Sequence, residues 1–427
     1  MKESAWDGRT GGRTDAALRV LGAVVGYSSS TTSPAMCDCQ VVITLTTTMT
    51  DSRPASAPDF LLSRASGSLR TQGSASTFSD VDEAMWALAH AKVDLVVGAL
   101  PFRFDDPAAL TVPKHAIFSA GPLEPHAYYR TGEGSKLSAQ VLREVPSVAV
   151  HEERVAALIR TIANTAVEKV VLARAIDIAF DPPVDPLTVA AKLIDLSASL
   201  DGFAVDLTPA GERFAGSMLV GSSPEVLLKK QGATVTAFPL AGSLPRGRTP
   251  EEDAANKEAL HNSAKDIAEH RFVVDALVDT LGPLCEQIDY PQRPEITATA
   301  EMWHLATPIT ATLRSADITA LDLAVRCHPT PAVCGTPQAL AYDLINTIEQ
   351  PRNFYGGAVG WSDKDGNGEF MVAIRCAEVA ADGNSARAWA GGGIVAESHA
   401  ADEVQETSAK LRTIARALQI DVGPTTS

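Results

Sequence analysis

Short strand-like runs and amphipathic helical patterns are mixed along the chain from Asp59 to about residue 418, and no linker separates them. The two kinds of element do not alternate regularly enough to indicate a series of βαβ units with a parallel sheet. The sequence therefore predicts one large α+β domain. The predicted strands are Val93–Leu100, Lys169–Ala175, Thr234–Phe238, Ala358–Trp361 and Phe370–Ile374, and the predicted helices are Val81–Ala91, Glu152–Thr165, Leu187–Leu196, Glu251–Leu281 and Asp402–Leu418.

The composition narrows the class of protein. Of the 427 residues, 45% are apolar, which is enough to build a sizeable core and excludes wholesale disorder. Asp and Glu number 52 against 36 Lys and Arg, and the net charge of −16 argues against a nucleic-acid partner. A small anionic substrate remains compatible with that charge, because a pocket can be locally basic. Apolar runs such as Leu95–Phe102 are far shorter than the ~20 residues of a membrane span. We expect a cytoplasmic protein with no membrane partner.

The start of the chain differs from the rest in being rich in Ser and Thr. Its apolar patch, Ala16–Tyr27, contains Arg19 and follows acidic residues, which disfavours a signal peptide. A later methionine, Met49, stands shortly before ordinary globular sequence begins. We therefore interpret Met1–Thr48 as a disordered or over-called N-terminal extension and residues 49–427 as the functional domain.

One motif resembles a calcium-binding loop. The stretch Asp363-Lys-Asp-Gly-Asn-Gly368 matches the first half of such a loop, but the position of its bidentate acid is occupied by Ile374. Asp, Asn and Gly also supply the backbone conformations of a tight turn. We therefore predict a hairpin turn between two strands.

Carboxylates are paired on two predicted helices. Asp266 and Glu269 are three residues apart and share a face, as do Glu403, Glu406 and Lys410 on the last helix. Two such faces could form an oxygen-ligand site for Mg²⁺, which takes one or two carboxylates together with substrate oxygens and water. Spacing alone favours the alternative of two solvated helix faces, because surface charge is the commoner case.

Two further charged residues stand next to apolar strands. Lys169 begins the run Lys169-Val-Val-Leu-Ala-Arg174, and a partly buried lysine can serve as a general base. Glu225 lies between a turn and an apolar strand, where a carboxyl can be held protonated and act as an acid. Either residue alone is a weak signal, because strand ends carry charges routinely.

These side chains belong to a longer series of motifs that spans roughly residues 59–418. The motifs are Lys169-Val-Val-Leu-Ala-Arg174, Gly221-Ser-Ser-Pro-Glu225, Pro239-Leu-Ala-Gly-Ser243, Lys265-Asp-Ile-Ala-Glu-His270, Trp303-His-Leu-Ala-Thr-Pro308, His328-Pro-Thr-Pro-Ala-Val-Cys-Gly335, Tyr355-Gly-Gly-Ala-Val-Gly360, Ala373-Ile-Arg-Cys376, Ala390-Gly-Gly-Gly-Ile-Val395 and Glu403-x-x-Glu406-x-x-x-Lys410. In this order they resemble the chorismate-utilising enzymes, which include the anthranilate, aminodeoxychorismate, salicylate and isochorismate synthases. The resemblance implies a single α+β domain with two stacked, mainly antiparallel sheets, helices packed outside and the active site between the sheets.

Two positions indicate which reaction the resemblance implies. Lys169 stands where ammonia-using anthranilate synthases carry an uncharged residue. Lysine there accompanies attack by water in the isochorismate and salicylate synthases, and in aminodeoxychorismate synthases it is itself the nucleophile. Ala332 stands where members that eliminate pyruvate or aminate usually carry Thr. Both residues resemble the isochorismate synthases, which supply 2,3-dihydroxybenzoate siderophores or menaquinone. A salicylate synthase and a non-catalytic chorismate-binding homologue are the alternatives.

The resemblance also implies roles for individual residues. Lys169 would be the general base and Glu225 the general acid. Mg²⁺ would be held by Glu269 and Glu406, with Asp266 and Glu403 directly or through water. Residues expected to contact chorismate are Arg375, Tyr355, Lys410, Gly391, Gly393, His304, Val333, Ala332, Gly242 and Ser243. The resemblance also leads us to expect a monomer.

Overall fold

Antiparallel strands dominate the computed structural model, which describes residues 53–421. The predicted extension Met1–Thr48 lies outside the described residues. The strands are β1 (Phe60–Arg64), β2 (Gly67–Phe78), β3 (Leu95–Leu100), β4 (Ala109–Ser119), β5 (Ala139–Val145), β6 (Lys169–Phe180), β7 (Gly202–Asp206), β8 (Met218–Gly221), β9 (Val226–Gln231), β10 (Thr234–Phe238), β11 (Leu240–Pro245), β12 (Cys285–Asp289), β13 (Glu295–Ala298), β14 (Met302–Ala306), β15 (Ile309–Leu313), β16 (Gly335–Thr336), β17 (Ala358–Asp363), β18 (Gly368–Val372), β19 (Cys376–Val379) and β20 (Ser385–Ile394).

Helices connect these strands. They are α1 (Val81–Ala89), α2 (Ala127–Arg130), α3 (Val148–Ile162), α4 (Pro186–Leu196), α5 (Pro250–Asn262), α6 (Ala264–Leu281), α7 (Ala320–Cys327), α8 (Gln338–Ile348) and α9 (Ala400–Leu418), with short 3-10 turns at Glu133–Ser135, Thr208–Ala210, Glu212–Phe214 and Gly282–Leu284. Within residues 53–421, no helix is both long and apolar enough to cross a membrane.

Seventeen strands form one continuous hydrogen-bonded ladder. The ladder runs from β12 through β15, β10, β9, β18 and β17 to β3, and then through β4, β2 and β1 to β7, β8, β19, β20 and β6. Strands β5 and β16 pair with the remaining edge of β6. Every one of these pairings is antiparallel, as the irregular order of strands and helices predicted.

The two halves of the ladder pack face to face. One core cluster joins Val97 on β3 and Met371 on β18 to Ala173 on β6, Phe203 on β7 and Trp389 on β20. The predicted two layers are therefore confirmed, and β1, β2 and β4 join them at one side. Helices cover the outside, as expected: α1, α6 and α7 pack on the first half, and α3, α4, α8 and α9 on the second.

A separate three-stranded sheet consists of β11, β14 and β13. Ser243 on β11 lies opposite His304 on β14. Helix α6 packs beside this small sheet, where His270 contacts Ala241 O and Thr307 Oγ1. Side chains of the small sheet and of α6 therefore lie together at one end of the large ladder.

The sequence predicted the positions of most helices and strands, but it predicted one helix where the structure has two. The single helix expected over Glu251–Leu281 is wrong, because the helix ends at Asn262 and a new one begins at Ala264. Ser263 caps the second helix by accepting a hydrogen bond from Asp266 N, a typical N-cap interaction. The hairpin predicted in place of a calcium loop is confirmed, since β17 and β18 pair as far as Ser362 and Gly368.

Candidate active site

A pocket lies where the two halves of the ladder, the small sheet and the last helix meet. It encloses about 630 Å³ of non-protein space including its mouth, a size typical of sites for small molecules. Most of the residues predicted for the site line it. The lining residues are Val171, Pro224, Glu225, Leu240, Ala241, Gly242, Ser243, Glu269, His304, Ala332, Val333, Tyr355, Ile374, Arg375, Trp389, Ala390, Gly391, Gly393, Glu406 and Lys410.

Lys169 begins β6 and is completely buried. The apolar run that follows it is buried nearly throughout, as a strand between two packed layers requires. Lys169 Nζ lies 3.0 Å from Glu269 Oε1. The orientation of the two groups does not give a hydrogen bond, and Nζ has no hydrogen-bond partner among the described residues. Lys169 itself is not among the lining residues, so it borders the pocket through Glu269.

Glu225 is placed by the turn between β8 and β9. Its backbone N donates to Ser223 Oγ at 3.2 Å, and its carbonyl accepts from Val372 N at 3.1 Å. The side chain is 2% exposed. Burial raises the pKa of Glu225 to about 8, against the lowering effects of a hydrogen bond from the Leu240 backbone and the charge of Lys169. The carboxyl is therefore protonated at neutral pH.

Glu406 on α9 is held very differently. Its Oε1 lies 2.5 Å from Lys410 Nζ and accepts a hydrogen bond from Ser243 Oγ at 2.9 Å. Burial raises the pKa of Glu406, but the charge and hydrogen bond of Lys410 and the bond from Ser243 outweigh it and leave the pKa below the ordinary value. Lys410 Nζ also donates to Gly391 O at 2.9 Å. This network fixes an ionised carboxylate beside β20.

Two further carboxylates lie behind the lining. Burial and the charge of Glu406 raise the pKa of Glu403 to about 7, and burial together with the charge of Glu269 raises the pKa of Asp266. Glu403 Oε1 accepts from Ser398 Oγ at 2.7 Å and lies 3.1 Å from Lys265 Nζ. Its Oε2 is buried without a hydrogen-bond partner among the described residues. Asp266 and Glu403 are not lining residues.

These carboxylates fit a divalent cation that is completed by substrate and water. Mutual repulsion between carboxylates and an unpartnered buried oxygen on Glu403 are both relieved by a cation. Within residues 53–421, no group of three or more His, Cys, Asp or Glu side chains forms a metal cage by itself. Glu269 and Glu406 do line the pocket, and Mg²⁺ is usually bound by one or two carboxylates together with several waters.

Arg375 and Tyr355 form another wall. Arg375 is buried and has a φ of 53°, a left-handed backbone conformation that is uncommon outside glycine and that clusters at functional sites. Its Nη1 donates to Lys410 O at 3.3 Å. The ring of Tyr355 stacks on Trp389 with centroids 5.9 Å apart. An arginine that lines a pocket offers a planar fork for a carboxylate.

His304 is the histidine of the pocket. Burial, followed by the charges of Arg375 and Lys410, lowers its pKa well below the ordinary value, so the imidazole is neutral. Its Nε2 is buried and makes no hydrogen bond to any described residue. A purely structural histidine would be expected to have that nitrogen paired.

At two positions only glycine leaves room for atoms of α6 and β6 that approach the backbone closely. Gly242 has a φ of +76°, and a Cβ there would lie 3.0 Å from Asp266 Cβ. A Cβ on Gly393 would clash with the Glu269 carboxylate and the Lys169 side chain. The predicted glycines therefore allow β11 and β20 to approach the carboxylates of α6 closely.

Several residues at the site were not predicted from the sequence. Lys265 and Trp389 are two of them, and a buried pair, Glu349 and Arg352, contacts the backbone of the pocket wall. Lys265 stood inside a recognised motif, and its spacing of four residues before Glu269 could have indicated it. The pair of Glu349 and Arg352 carries no comparable signal, because its partners are remote in sequence.

Known proteins resemble this chain over most of its length. A model of the family described as chorismate binding enzyme matches residues 126–419. A Mycobacterium tuberculosis protein named "Putative isochorismate synthase MenF" is 42% identical over 366 residues, covering 85% of this chain and 97% of that protein. Isochorismate synthase DhbC of Bacillus subtilis is 40% identical over 328 residues, covering 77% of this chain and 81% of that protein. The solved structure of a "putative 2,3-dihydroxybenzoate-specific isochorismate synthase, DhbC" from Bacillus anthracis matches with a TM-score of 0.77 at 34% identity, covering 85% of this chain and 96% of that one.

Proposed function

This chain belongs to the chorismate-binding enzyme family, and from that premise we propose that it is an isochorismate synthase that converts chorismate reversibly to isochorismate with the help of Mg²⁺. One observation carries the proposal of a hydroxyl exchange, and Ala332 in the pocket lining favours the isochorismate synthase over the salicylate synthase. Glu225, whose pKa burial raises to about 8, lies within electrostatic range of the buried Lys169 at one pocket. A protonated acid and a lysine base are the pair that a hydroxyl exchange requires.

The reaction moves a hydroxyl group across the ring. Water adds at C2 of chorismate while the C4 hydroxyl leaves, and the ring double bonds shift. Lys169, as the general base, takes the proton from the attacking water. Glu225 gives its proton to the departing hydroxyl, which leaves as water. One water enters and one leaves, so substrate and product have the same mass.

Mg²⁺ would be held by Glu269 and Glu406, with Asp266 and Glu403 directly or through water. When bound, the cation neutralises the carboxylates and the ring carboxylate of the substrate, whose charges would otherwise repel each other. Ser243 supports this arrangement by donating to Glu406 Oε1. Lys410, which already pairs with Glu406, would also pair with the ring carboxylate of the substrate.

The remaining polar groups orient the substrate. Arg375 and Tyr355 would bind the enolpyruvyl carboxylate, which matches the planar fork of a guanidinium. The free Nε2 of His304 supports a hydrogen bond to the leaving hydroxyl. One edge of the Gly391–Gly393 segment pairs with β6, and no described strand pairs with the other edge, so its backbone is accessible to the substrate.

The product would enter 2,3-dihydroxybenzoate siderophore or menaquinone synthesis. The relatives named above support the reaction itself. A monomer in the cytoplasm remains our expectation.

Incubation of the purified protein with chorismate and Mg²⁺ tests the proposal. We expect a new chromatographic peak of unchanged mass, which disappears when the metal is chelated. A fluorescent product with release of pyruvate would instead identify a salicylate synthase. No conversion at all would leave a non-catalytic chorismate-binding protein.

A further inference from the structure

Glu349 and Arg352 form a buried ion pair that the proposed mechanism does not use. Arg352 Nε donates to Glu349 Oε2 at 2.7 Å, and Nη2 donates to Oε1 at 2.6 Å. The two side chains are only 5% and 1% exposed. Burying two charges is costly, and a buried pair is weak evidence for stability by itself. The other contacts of the pair therefore indicate what it does.

Arg352 connects two walls of the pocket. Its Nη2 donates to Val171 O at 2.8 Å, and its Nη1 donates to Val333 O at 2.7 Å. Both valines line the pocket. The guanidinium also lies over the Phe102 ring, 4.4 Å from the centroid. A planar guanidinium has donors at fixed spacing, so it holds these carbonyls at a fixed separation.

Glu349 completes the contact with β6. Its Oε1 accepts from Ala173 N at 2.6 Å. On this edge of β6, β16 pairs only as far as Val170 and β5 begins its pairing at Ala175. The ion pair therefore bonds to β6 in the gap between two neighbouring strands, close to the point where Lys169 begins the strand.

We propose that the Glu349–Arg352 pair is a positioning unit for the reaction, which sets the Lys169 end of β6 against the turn that carries Ala332 and Val333. This inference rests on the proposed function. The pair acts through the backbone and touches no substrate. Arg352 also helps to position the pocket wall that carries Tyr355, because Tyr355 N donates to Arg352 O at 3.0 Å. Misplacement by a fraction of an ångström along this path moves the base relative to the ring.

Replacement of Arg352 by lysine tests the role of the fork. Arg352→Lys keeps the charge but cannot bond to both carbonyls and both carboxylate oxygens at once. We expect kcat to fall by about 10²-fold, the cost of a small misplacement of reacting groups, with little change in KM. The matched control is Arg387→Lys. Arg387 on β20 forms a similar two-point pair with Asp177 on β6, at 2.6 and 3.0 Å. Arg387→Lys should leave kcat unchanged.

Hydrogen exchange provides a readout that needs no activity. Peptides covering residues 169–175 and 330–336 should exchange faster in Arg352→Lys than in wild type, and should be unchanged in Arg387→Lys. If Arg352→Lys does not fold, Glu349→Gln, which keeps the size of the side chain, should give the same pattern. A wild-type protein that makes no isochorismate would refute the proposed function, while the exchange data would still test the positioning.

Two results would overturn the inference. One is that the variant that folds, Arg352→Lys or Glu349→Gln, has the kcat and the hydrogen-exchange rates of the wild type. The other is an equal loss of kcat and protection in Arg352→Lys and Arg387→Lys, which would indicate a general stabilising role for paired arginines in this sheet.

Discussion

Glu225 and Glu406 are two glutamates of one pocket with opposite protonation. Glu225 stands at the start of a strand, is 2% exposed, and has no ion-pair partner among the described residues. Glu406 lies on a helix, with its side chain 21% exposed and a lysine 2.5 Å away. Burial raises the pKa of the first to about 8, whereas the lysine and serine partners hold the pKa of the second below the ordinary value. The neighbours of each carboxyl, more than its residue type, thus decide whether it serves as an acid or as an anion.

Removal of Lys169 should have the largest effect, because it deletes the proposed general base. Lys169→Ala should lower kcat by up to about 10⁴-fold, the upper end for general base catalysis. Lys230 is an equally buried lysine outside the pocket, whose Nζ donates to Ala316 O, so Lys230→Met is a matched control. Steady-state kinetics of both folded variants measures the difference. Normal turnover in Lys169→Ala would remove the base assignment.

Removing the transferable proton of Glu225 tests the role of this residue separately from the metal site. Glu225→Gln keeps the shape and removes the transferable proton, so we expect kcat to fall by about 10³-fold while Mg²⁺ dependence stays as in wild type. Glu378→Gln is the control, because Glu378 is also buried enough to have a raised pKa but does not line the pocket. Equal kcat values for the two variants would contradict the role of Glu225.

At Glu406 we expect the Mg²⁺ dependence of activity to change. Glu406→Ala should raise the Mg²⁺ concentration needed for half-maximal activity by at least about 10–100-fold, because loss of an outer-shell partner alone usually costs that much metal affinity. Glu403→Gln should raise it less, because Glu403 lies behind the lining. A magnesium titration of each variant gives the comparison. An unchanged titration in Glu406→Ala would exclude Glu406 from the metal site.

Local sequence pattern indicated where these two glutamates lie, but only the resemblance to the chorismate-utilising enzymes assigned them to one site, since spacing alone favoured a solvated face for Glu406. Glu225 precedes an apolar strand, so its burial followed from local pattern, and the spacing of Glu403, Glu406 and Lys410 fixed their common helix face. Arg352 lies 181 residues from Val171, whose carbonyl it binds, and no periodicity encodes such a contact. Likewise, the break at Ser263 depends on a single capping side chain within a continuous helical pattern.

A further effect is expected on the pH dependence of stability. Since the folded pKa of Glu225 is raised from 4.5 to about 8, the folded state keeps a proton that the unfolded state releases. Wild-type stability should therefore fall relative to Glu225→Gln as the pH rises from about 4.5 to about 8, and the difference should level off above that range. The total change is on the order of a few kcal/mol, because each pKa unit corresponds to about 1.4 kcal/mol. Urea denaturation at several pH values measures it. Parallel pH profiles for the two proteins would contradict the raised pKa.

The proposed mechanism requires Glu225 to be protonated at the pH where the enzyme works. Carbon-13 NMR of glutamate carboxyl groups, with the Glu225 signal assigned by its absence in Glu225→Gln, measures this directly. We predict a titration midpoint near pH 8, with the Glu406 carboxyl ionised throughout the same range. A midpoint near the ordinary value of 4.5 would contradict the account, because Glu225 would then have no proton to give.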